Sequence, residues 1–322
     1  MAAHLHLRDI EEAHERIRPY VLFTPLLPCL WCGEKVWLKA ENLQRTGAFK
    51  MRGAFNMLLA EAQGKAIAGV VAASSGNHGQ AVAYAARRLG LKSIIIMPEN
   101  ANPVKVEATR RWGAEIRFAP PDSQARLRMA EEVARAEGFL LVPPYDHPLI
   151  MAGQGTVGLE IFQQLPEADE VYVPLGGGGL GAGVATALKH LSPRVRIIGV
   201  EPEGAADHHL SRQRGERTPW PKIDTVADGL RASIPGELTF PILQRYLDDI
   251  LLVSDAEILE AMGHLGFQSK LLVEPSGAAA LAGLLKSRKE NVRKVAVLSG
   301  GNVDLALWTT WVERSARTAL HR

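Results

Sequence analysis

Val171-Tyr172-Val173-Pro174-Leu175-Gly176-Gly177-Gly178-Gly179-Leu180-Gly181 is the stretch on which the fold turns. A β-branched and aromatic run ends at Pro174, four consecutive glycines follow, and an apolar helical segment begins at Leu180. Strand, glycine turn and helix in that order belong to a parallel α/β sheet. The N–H groups at the start of such a helix, reinforced by its dipole, hold an anion without help from any side chain. The run also fits G-x-G-x-x-G, and Glu201 closes the next apolar run about 20 residues on, where a dinucleotide-binding protein places its ribose acid. From this segment alone, a dinucleotide pyrophosphate and the phosphate of a smaller cofactor are equally good ligands. A glycine turn with no ligand is the third possibility.

The same alternation extends to both sides. A helix near 8–18 stops at Pro19, and Val36-Trp37-Leu38-Lys39 reads as a strand. β-branched runs over 69–73, 93–97, 115–118 and 140–142 predict four strands, with helices near 77–88, 103–113 and 122–137 between them. Pro143-Pro144-Tyr145-Asp146-His147-Pro148 is the clearest punctuation in the chain. Beyond it a second strand series runs through 171–174, 195–200 and 294–298, so two sheets are expected. Ligands of parallel sheets collect at the carboxyl ends of strands, which directs attention to 74–79, 176–183, Glu201 onward and 299–302.

Composition narrows the partners. The chain has 322 residues, 47% of them hydrophobic and 22% charged, an ordinary globular balance with length for two domains. Its 37 basic and 35 acidic residues are scattered, which argues against nucleic acid and anionic membrane surfaces and for small molecules. The N-terminus is too charged for a signal peptide and no apolar stretch reaches the ~18 residues of a membrane span, so a cytoplasmic protein is expected. Cys29 and Cys32 form a C-x-x-C spacing, but no second Cys/His pair supplies zinc ligands. The pair also follows the Thr24-Pro25-Leu26 turn and precedes a strand, unlike a redox motif at a strand-to-helix turn; two free thiols are expected.

Two further segments carry chemistry. Ser74-Ser75-Gly76-Asn77-His78-Gly79-Gln80 lies between a strand and a helix start, where hydroxyls and N–H groups suit a carboxylate, unless Ser75 or Asn77 merely caps the helix. Lys50 follows Thr46-Gly47-Ala48-Phe49 at a helix start, a setting apolar enough to depress an ammonium pKa and favour a Schiff base with a carbonyl.

Taken together, Glu41-Asn42-Leu43-Gln44, Thr46-Gly47-Ala48-Phe49-Lys50-Met51-Arg52-Gly53, Ser74 to Gln80, Gly176 to Gly179 and Leu298-Ser299-Gly300-Gly301-Asn302 resemble the serine racemase and serine/threonine dehydratase family of fold-type II pyridoxal 5′-phosphate enzymes. Ala152-Gly153-Gln154-Gly155-Thr156, Ala227-Asp228-Gly229 and Glu274-Pro275 extend the resemblance over nearly the whole chain. It implies a tryptophan synthase β-like α/β fold with two domains, each a mainly parallel twisted sheet flanked by helices. The large, cofactor-binding domain would comprise 1–52 and 147–322, and the small, substrate-binding domain 53–146.

The resemblance also implies roles. Lys50 carries the cofactor as a Schiff base, Asn77 meets its ring hydroxyl, the amides of Gly176, Gly177, Gly178, Gly179 and Leu180 hold its phosphate, and Ser299 faces its pyridine nitrogen. A serine there, rather than a carboxylate, leaves the ring a milder electron sink and suits elimination. Ser74, Ser75, Gly76, Asn77 and His78 would hold the substrate, and Ser75 matches the second base of serine racemases. The expected reaction is dehydration and deamination of L-threonine or L-serine to a 2-oxo acid and ammonia. Serine racemisation and 3-hydroxyaspartate dehydration are the alternatives, with an NAD-dependent oxidoreductase more remote. Glu201, the carbonyl of Ala205 and Asp207 match a divalent-cation site whose oxygen donors suit Mg²⁺ or Ca²⁺, the alternative being an acidic loop that caps the next helix. A homodimer is implied. Tyr145-Asp146 stands where many dehydratases have Phe-Asp, and the short sequence after Ser299 leaves no room for a C-terminal regulatory domain.

Overall fold

The computed structural model describes residues 5–64, 66–101, 103–287 and 289–319. The N-terminal reading above starts at Met1–His4, which lie outside these residues. The strands are β1 (Leu26–Pro28), β2 (Val36–Ala40), β3 (Gly69–Ala73), β4 (Lys92–Pro98), β5 (Glu115–Ala119), β6 (Leu140–Leu141), β7 (Glu170–Pro174), β8 (Arg196–Pro202), β9 (Asp249–Val253) and β10 (Lys294–Leu298). They form a six-stranded sheet, order β1-β2-β10-β7-β8-β9, and a four-stranded sheet, order β5-β4-β3-β6. Every pairing is parallel except β1 with β2. The expected α/β class with two mainly parallel sheets is what forms.

The helices are α1 (Leu7–Ile17), α2 (Lys50–Glu61), α3 (Asn77–Arg88), α4 (Pro103–Arg111), α5 (Ser123–Glu137), α6 (Pro148–Gln164), α7 (Gly179–Leu191), α8 (Asp207–Arg214), α9 (Thr239–Tyr246), α10 (Asp255–Ser269), α11 (Pro275–Lys286) and α12 (Leu305–Ala319). They cover both faces of the larger sheet, which is why its central strands are mostly apolar, with Lys39 of β2 the buried exception in mid-strand. In β7 Val171 and Val173 enter one core with residues of α1, α6, α7 and α9, while Tyr172 enters the other with residues of α10, α11 and α12. In the smaller sheet Val70 and Ala72 of β3 pack toward α2 and α3, and Val71 packs toward α5. Alternation of side chains along a strand makes each such triplet a two-sided wall.

Between β2 and β7 the chain leaves the larger sheet, builds the smaller one and returns, so α2 and α6 are adjacent where it departs and returns. Glycine permits the close crossing: a Cβ on Gly153 would lie 2.6 Å from both the Arg52 carbonyl oxygen and Gly53 Cα. Beside this crossing the Arg52 guanidinium donates to Glu41 (Nε–Oε2 and Nη2–Oε1, both 2.8 Å) and to Glu160 (Nη1–Oε1 2.6 Å, Nη2–Oε2 2.9 Å). Lys39 Nζ donates to Glu160 Oε2 at 2.6 Å, to Thr24 O at 2.7 Å and to Gln164 Oε1 at 2.9 Å. All four charged side chains are buried. Two cations thus face two carboxylates with their polar atoms satisfied, the condition for burying such a cluster.

Candidate active site

The segment before α2 is bent by Gly47, whose φ of +73° is the left-handed region open to glycine. Ala48 then forms a bridge with Gly300, and Phe49 N–H donates to Ser299 O at 3.1 Å. These main-chain contacts seat Lys50, the first residue of α2, beside the end of β10. Lys50 Nζ donates to Pro144 O at 2.6 Å and lies 5.2 Å from the centre of the Phe49 ring. Burial pushes its ammonium down to about 8 from 10.5, as expected of a charge withdrawn from water without a carboxylate partner.

Next to Pro144, the Tyr145 ring lies against the glycine turn: a Cβ on Gly177 would sit 2.4 Å from its Cδ1. The lysine and the turn after β7 are therefore neighbours, although far apart in sequence. Gly178 takes φ +93° as the N-cap of α7, and Gly179 and Leu180 begin the helix. Gly176 O is 2.9 Å from His208 Nε2, and Gly177 O accepts from Thr239 Oγ1 at 2.8 Å. With these two carbonyls held by His208 and Thr239, the N–H groups of Gly177 and Gly178 point to the opposite side of the turn, where main-chain donors suit an anion.

The turn Ser74 to Asn77 joins β3 to α3, with Gly76 N–H donating to Ser74 Oγ at 3.2 Å. Ser75 is half-buried within it. Asn77 is fixed from two sides: its Nδ2 donates to Glu274 Oε1 at 2.5 Å, and its Oδ1 accepts from Asn302 Nδ2 at 2.9 Å. Glu274, at the N-cap of α11, makes no side-chain cap bond there. Burial, helped by the nearby Asp228 charge, raises it to about 8. His78 is buried with Nε2 2.9 Å from Val142 O, and burial followed by the Lys50 charge drives it down to about 3. A neutral imidazole has one N–H, and here a carbonyl takes it, so His78 offers an anion no second donor. The turn's remaining donors are main-chain N–H groups and the hydroxyls of Ser74 and Ser75. Ser299 Oγ donates to Ser276 O at 3.3 Å, behind the glycine bridge to Ala48.

Glu201 ends its strand as expected, but its carboxylate accepts the N–H groups of His208 (2.9 Å) and His209 (2.8 Å). Buried and turned onto α8, it is not presented to a ribose, which removes the acid that the dinucleotide alternative requires. The capping alternative accounts for Glu201 and not for Asp207, whose two carboxylate oxygens are buried without a hydrogen-bond partner among the described residues. Glu201 is raised well above its ordinary value by burial and then by the Asp207 charge, and burial raises Asp207 to about 7. Glu201 and Asp207 are thus neighbouring buried acids, oxygen donors of the kind a hard cation takes. No group of three or more His, Cys, Asp or Glu side chains is placed to hold a metal among the described residues; this set has two.

Glu274, Asn302, His208 and Thr239 went unassigned in the sequence. Glu274 before Pro275 had the signature of a helix start, which concealed a side chain turned away from its own helix. Cys29 and Cys32 are free thiols in the turn between β1 and β2, with Cys32 N–H on Cys29 O at 2.9 Å.

The family model described as pyridoxal-phosphate dependent enzyme matches residues 17–300. An L-threonine ammonia-lyase of Geobacter sulfurreducens is 44% identical over 95% of this chain and 77% of its own length. An L-threo-3-hydroxyaspartate ammonia-lyase of Saccharomyces cerevisiae is 41% identical over 94% of this chain and 95% of its own. The structure of maize serine racemase superposes with a TM-score of 0.91 at 38% identity, covering 100% of this chain and 99% of that one.

Proposed function

Because the chain belongs to the pyridoxal-phosphate dependent enzymes, we propose that it is an ammonia-lyase that converts a small hydroxy-amino acid, L-threonine or L-serine, into a 2-oxo acid and ammonia. The observation that carries this reading is the half-buried Lys50 amine, held on Pro144 O with no carboxylate partner, close to the glycine turn that Tyr145 lies against. The residues present suit the cofactor's groups: an amine for its aldehyde, the N–H groups of Gly176 to Leu180 for its phosphate, Asn77 for its ring hydroxyl and, with its hydroxyl rotated off Ser276 O, Ser299 for its pyridine nitrogen. Pyridoxal phosphate, when bound, supplies an aldehyde that condenses with the substrate amine and a ring that disperses the electron pair left at Cα.

The protein's own groups do the rest. With cofactor and substrate bound, Lys50 Nζ would be the base that takes the α-proton. N–H groups and hydroxyls of the Ser74–Asn77 turn hold the substrate carboxylate. Asn77 keeps its orientation because Glu274 and Asn302 occupy its other polar positions. A hydroxyl at Ser299 supplies no charge to the pyridine nitrogen, which favours loss of the β-hydroxyl over transamination.

The direct test is release of 2-oxo acid from L-threonine, L-serine and 3-hydroxyaspartate by the purified protein with pyridoxal phosphate. Product from none of them overturns the reading; the panel also selects among substrates, 3-hydroxyaspartate being favoured by the similarity to the yeast enzyme. The half-buried Ser75 and the likeness to maize serine racemase favour racemisation as a second activity. Ser75→Ala is expected to remove interconversion of L- and D-serine while elimination of the L-substrate stays within about threefold. Unchanged racemisation in that variant eliminates Ser75 as the second base.

The unpartnered oxygens of Asp207 support a Mg²⁺ or Ca²⁺ site with Glu201 and the Ala205 carbonyl. Asp207→Asn removes a buried charge, so the metal-free variant should melt above metal-free wild type and gain nothing from added Mg²⁺. Wild type should gain about 2.7 kcal/mol at 100 times its dissociation constant. A variant that still responds to Mg²⁺ would place the cation elsewhere.

The reading includes three broader assignments. Residues 53–146 form the small domain and 1–52 with 147–322 the large one, joined across the cleft by the Lys105–Asp228 ion pair. Exposed Phe267, Leu272, Leu305 and Leu307 support pairing with a second copy. Two free thiols, with no described helix long and apolar enough to cross a membrane, support a cytoplasmic location.

A further inference from the structure

One residue touches both the acidic corner after β8 and the glycine turn after β7. The main-chain N–H of His208 is seated on Glu201 Oε1 at 2.9 Å, in the first turn of α8. Its side chain runs the other way, is buried, and brings Nε2 to 2.9 Å from Gly176 O. A carbonyl oxygen only accepts, so Nε2 carries the proton. The companion bond, from Thr239 Oγ1 to Gly177 O at 2.8 Å, acts on the next peptide. In a trans peptide the carbonyl and the following N–H point in opposite directions. Holding Gly176 O and Gly177 O on one side therefore aims the N–H groups of Gly177 and Gly178 to the other, away from His208 and Thr239. Both donors are pressed against the turn: a Cβ on Gly178 would lie 2.9 Å from His208 Cε1 and 2.8 Å from Thr239 Oγ1. The imidazole is thus packed on the turn whose carbonyl it holds.

We propose that His208 is a positioning residue that ties the cation site to the phosphate cradle, its main chain held by Glu201 and its ring aiming the Gly176–Gly177 peptide at the cofactor phosphate. The inference rests on the cation and phosphate assignments made above. A cation on Glu201 and Asp207 fixes the first turn of α8, and with it the ring that orients the cradle. Cofactor retention then rises with cation, and by reciprocity cation affinity rises with cofactor.

The test compares wild type, His208→Gln, which returns an N–H near the position of Nε2, and His208→Leu, which does not. Pyridoxal phosphate retention is measured by equilibrium ultrafiltration in EDTA and in Mg²⁺, alongside the ³¹P resonance of the bound phosphate. In EDTA, His208→Gln should hold the cofactor within about threefold of wild type and His208→Leu about tenfold more weakly, the equivalent of one lost hydrogen bond, with a shifted resonance. Mg²⁺ should tighten retention in wild type and His208→Gln and leave His208→Leu unchanged, while raising the melting temperature of all three. His208→Leu that matches wild type in EDTA and in its response to Mg²⁺ overturns the proposal. Wild type that gains neither melting temperature nor retention from Mg²⁺ overturns the cation assignment and the tie with it. Weaker retention by His208→Leu in EDTA and in Mg²⁺ alike would then still mark the cradle as real. Should His208→Leu not fold, Thr239→Val removes the other donor without touching Glu201. That variant should hold the cofactor more weakly and keep its Mg²⁺ response; loss of the response there also overturns a route through His208.

Discussion

Lys50→Ala is expected to abolish 2-oxo acid release, lowering the rate on L-threonine or L-serine by at least about 10³-fold, because one amine serves as both attachment point and base. Borohydride reduction of the wild-type holoenzyme should add the cofactor mass to the peptide containing Lys50 and to no other. Substantial activity in the purified variant, or the label on another lysine, would sink the mechanism. A second readout needs no cofactor. Burial holds Lys50 at about 8 against an ordinary 10.5, so between these values the unfolded chain binds more protons than the folded one. Stability then rises with pH across that window, and below about 8 the full cost, on the order of 3 kcal/mol, is present. A cofactor-free Lys50→Met protein should accordingly melt above cofactor-free wild type at pH 7, and the difference should shrink toward pH 10.5. Equal melting temperatures at pH 7 would mean that the amine is not withdrawn from water.

Where the sequence was informative, the signal was local. β7 and β10 are buried along their whole length and, after the charged residue that opens each, Glu170 and Lys294, read as apolar runs, so their parallel, two-sided environment was legible from residue type. The glycine turn announced an anion site for the same reason, since its function resides in the main chain. β9 was missed although Asp249-Ile250-Leu251-Leu252-Val253 leads into a Ser254–Glu257 capping box, because a short apolar run before a helix does not declare its period. What stayed hidden was the direction of side chains. Glu201 looked equally like a ribose acid, a cap and a cation ligand, and only its bonds to His208 and His209 decided against the first. His78 looked like a carboxylate ligand until Val142 O was seen to take its N–H. Glu274 and Asn302, which orient Asn77, lie far from it in sequence and reach it only through folding. Lys39 in a central strand is the clearest case, since a lysine in an apolar run reads as an edge position until its partners are in view.

Those partners set the largest expected effect on stability. Glu160→Gln keeps the shape of α6 and removes one of two carboxylates facing Arg52 and Lys39, leaving two buried cations with Glu41 alone. Breaking a buried charge cluster from one side costs about 3–5 kcal/mol, because the surviving charges keep their desolvation and lose their compensation. Urea unfolding should show this as a lower midpoint with the slope retained. The sign of the imbalance gives the sharper test. In Lys39→Met/Glu160→Gln, Arg52 and Glu41 remain as a matched pair, so the double variant should be more stable than Glu160→Gln although it carries one more substitution. Strictly additive losses would show that the cluster is held by packing and not by charge. Acid provides an independent approach. Burial alone would raise Glu41, but the Arg52 guanidinium, joined by the Lys39 charge and the Thr24 hydroxyl, outweighs it and holds the carboxyl below its ordinary range. A carboxylate depressed in the folded state contributes stability above its unfolded pKa and loses it as pH falls through the folded one, so the wild type should weaken as pH drops below the ordinary carboxylate value of 4.5. Arg52→Met, with that cation gone and two carboxylates left facing each other, should lose this dependence or reverse it. Since Arg52 lies one residue beyond Met51 from Lys50, the same ions that stabilise the junction of the two sheets also fix the start of α2, and with it the position of the reactive amine.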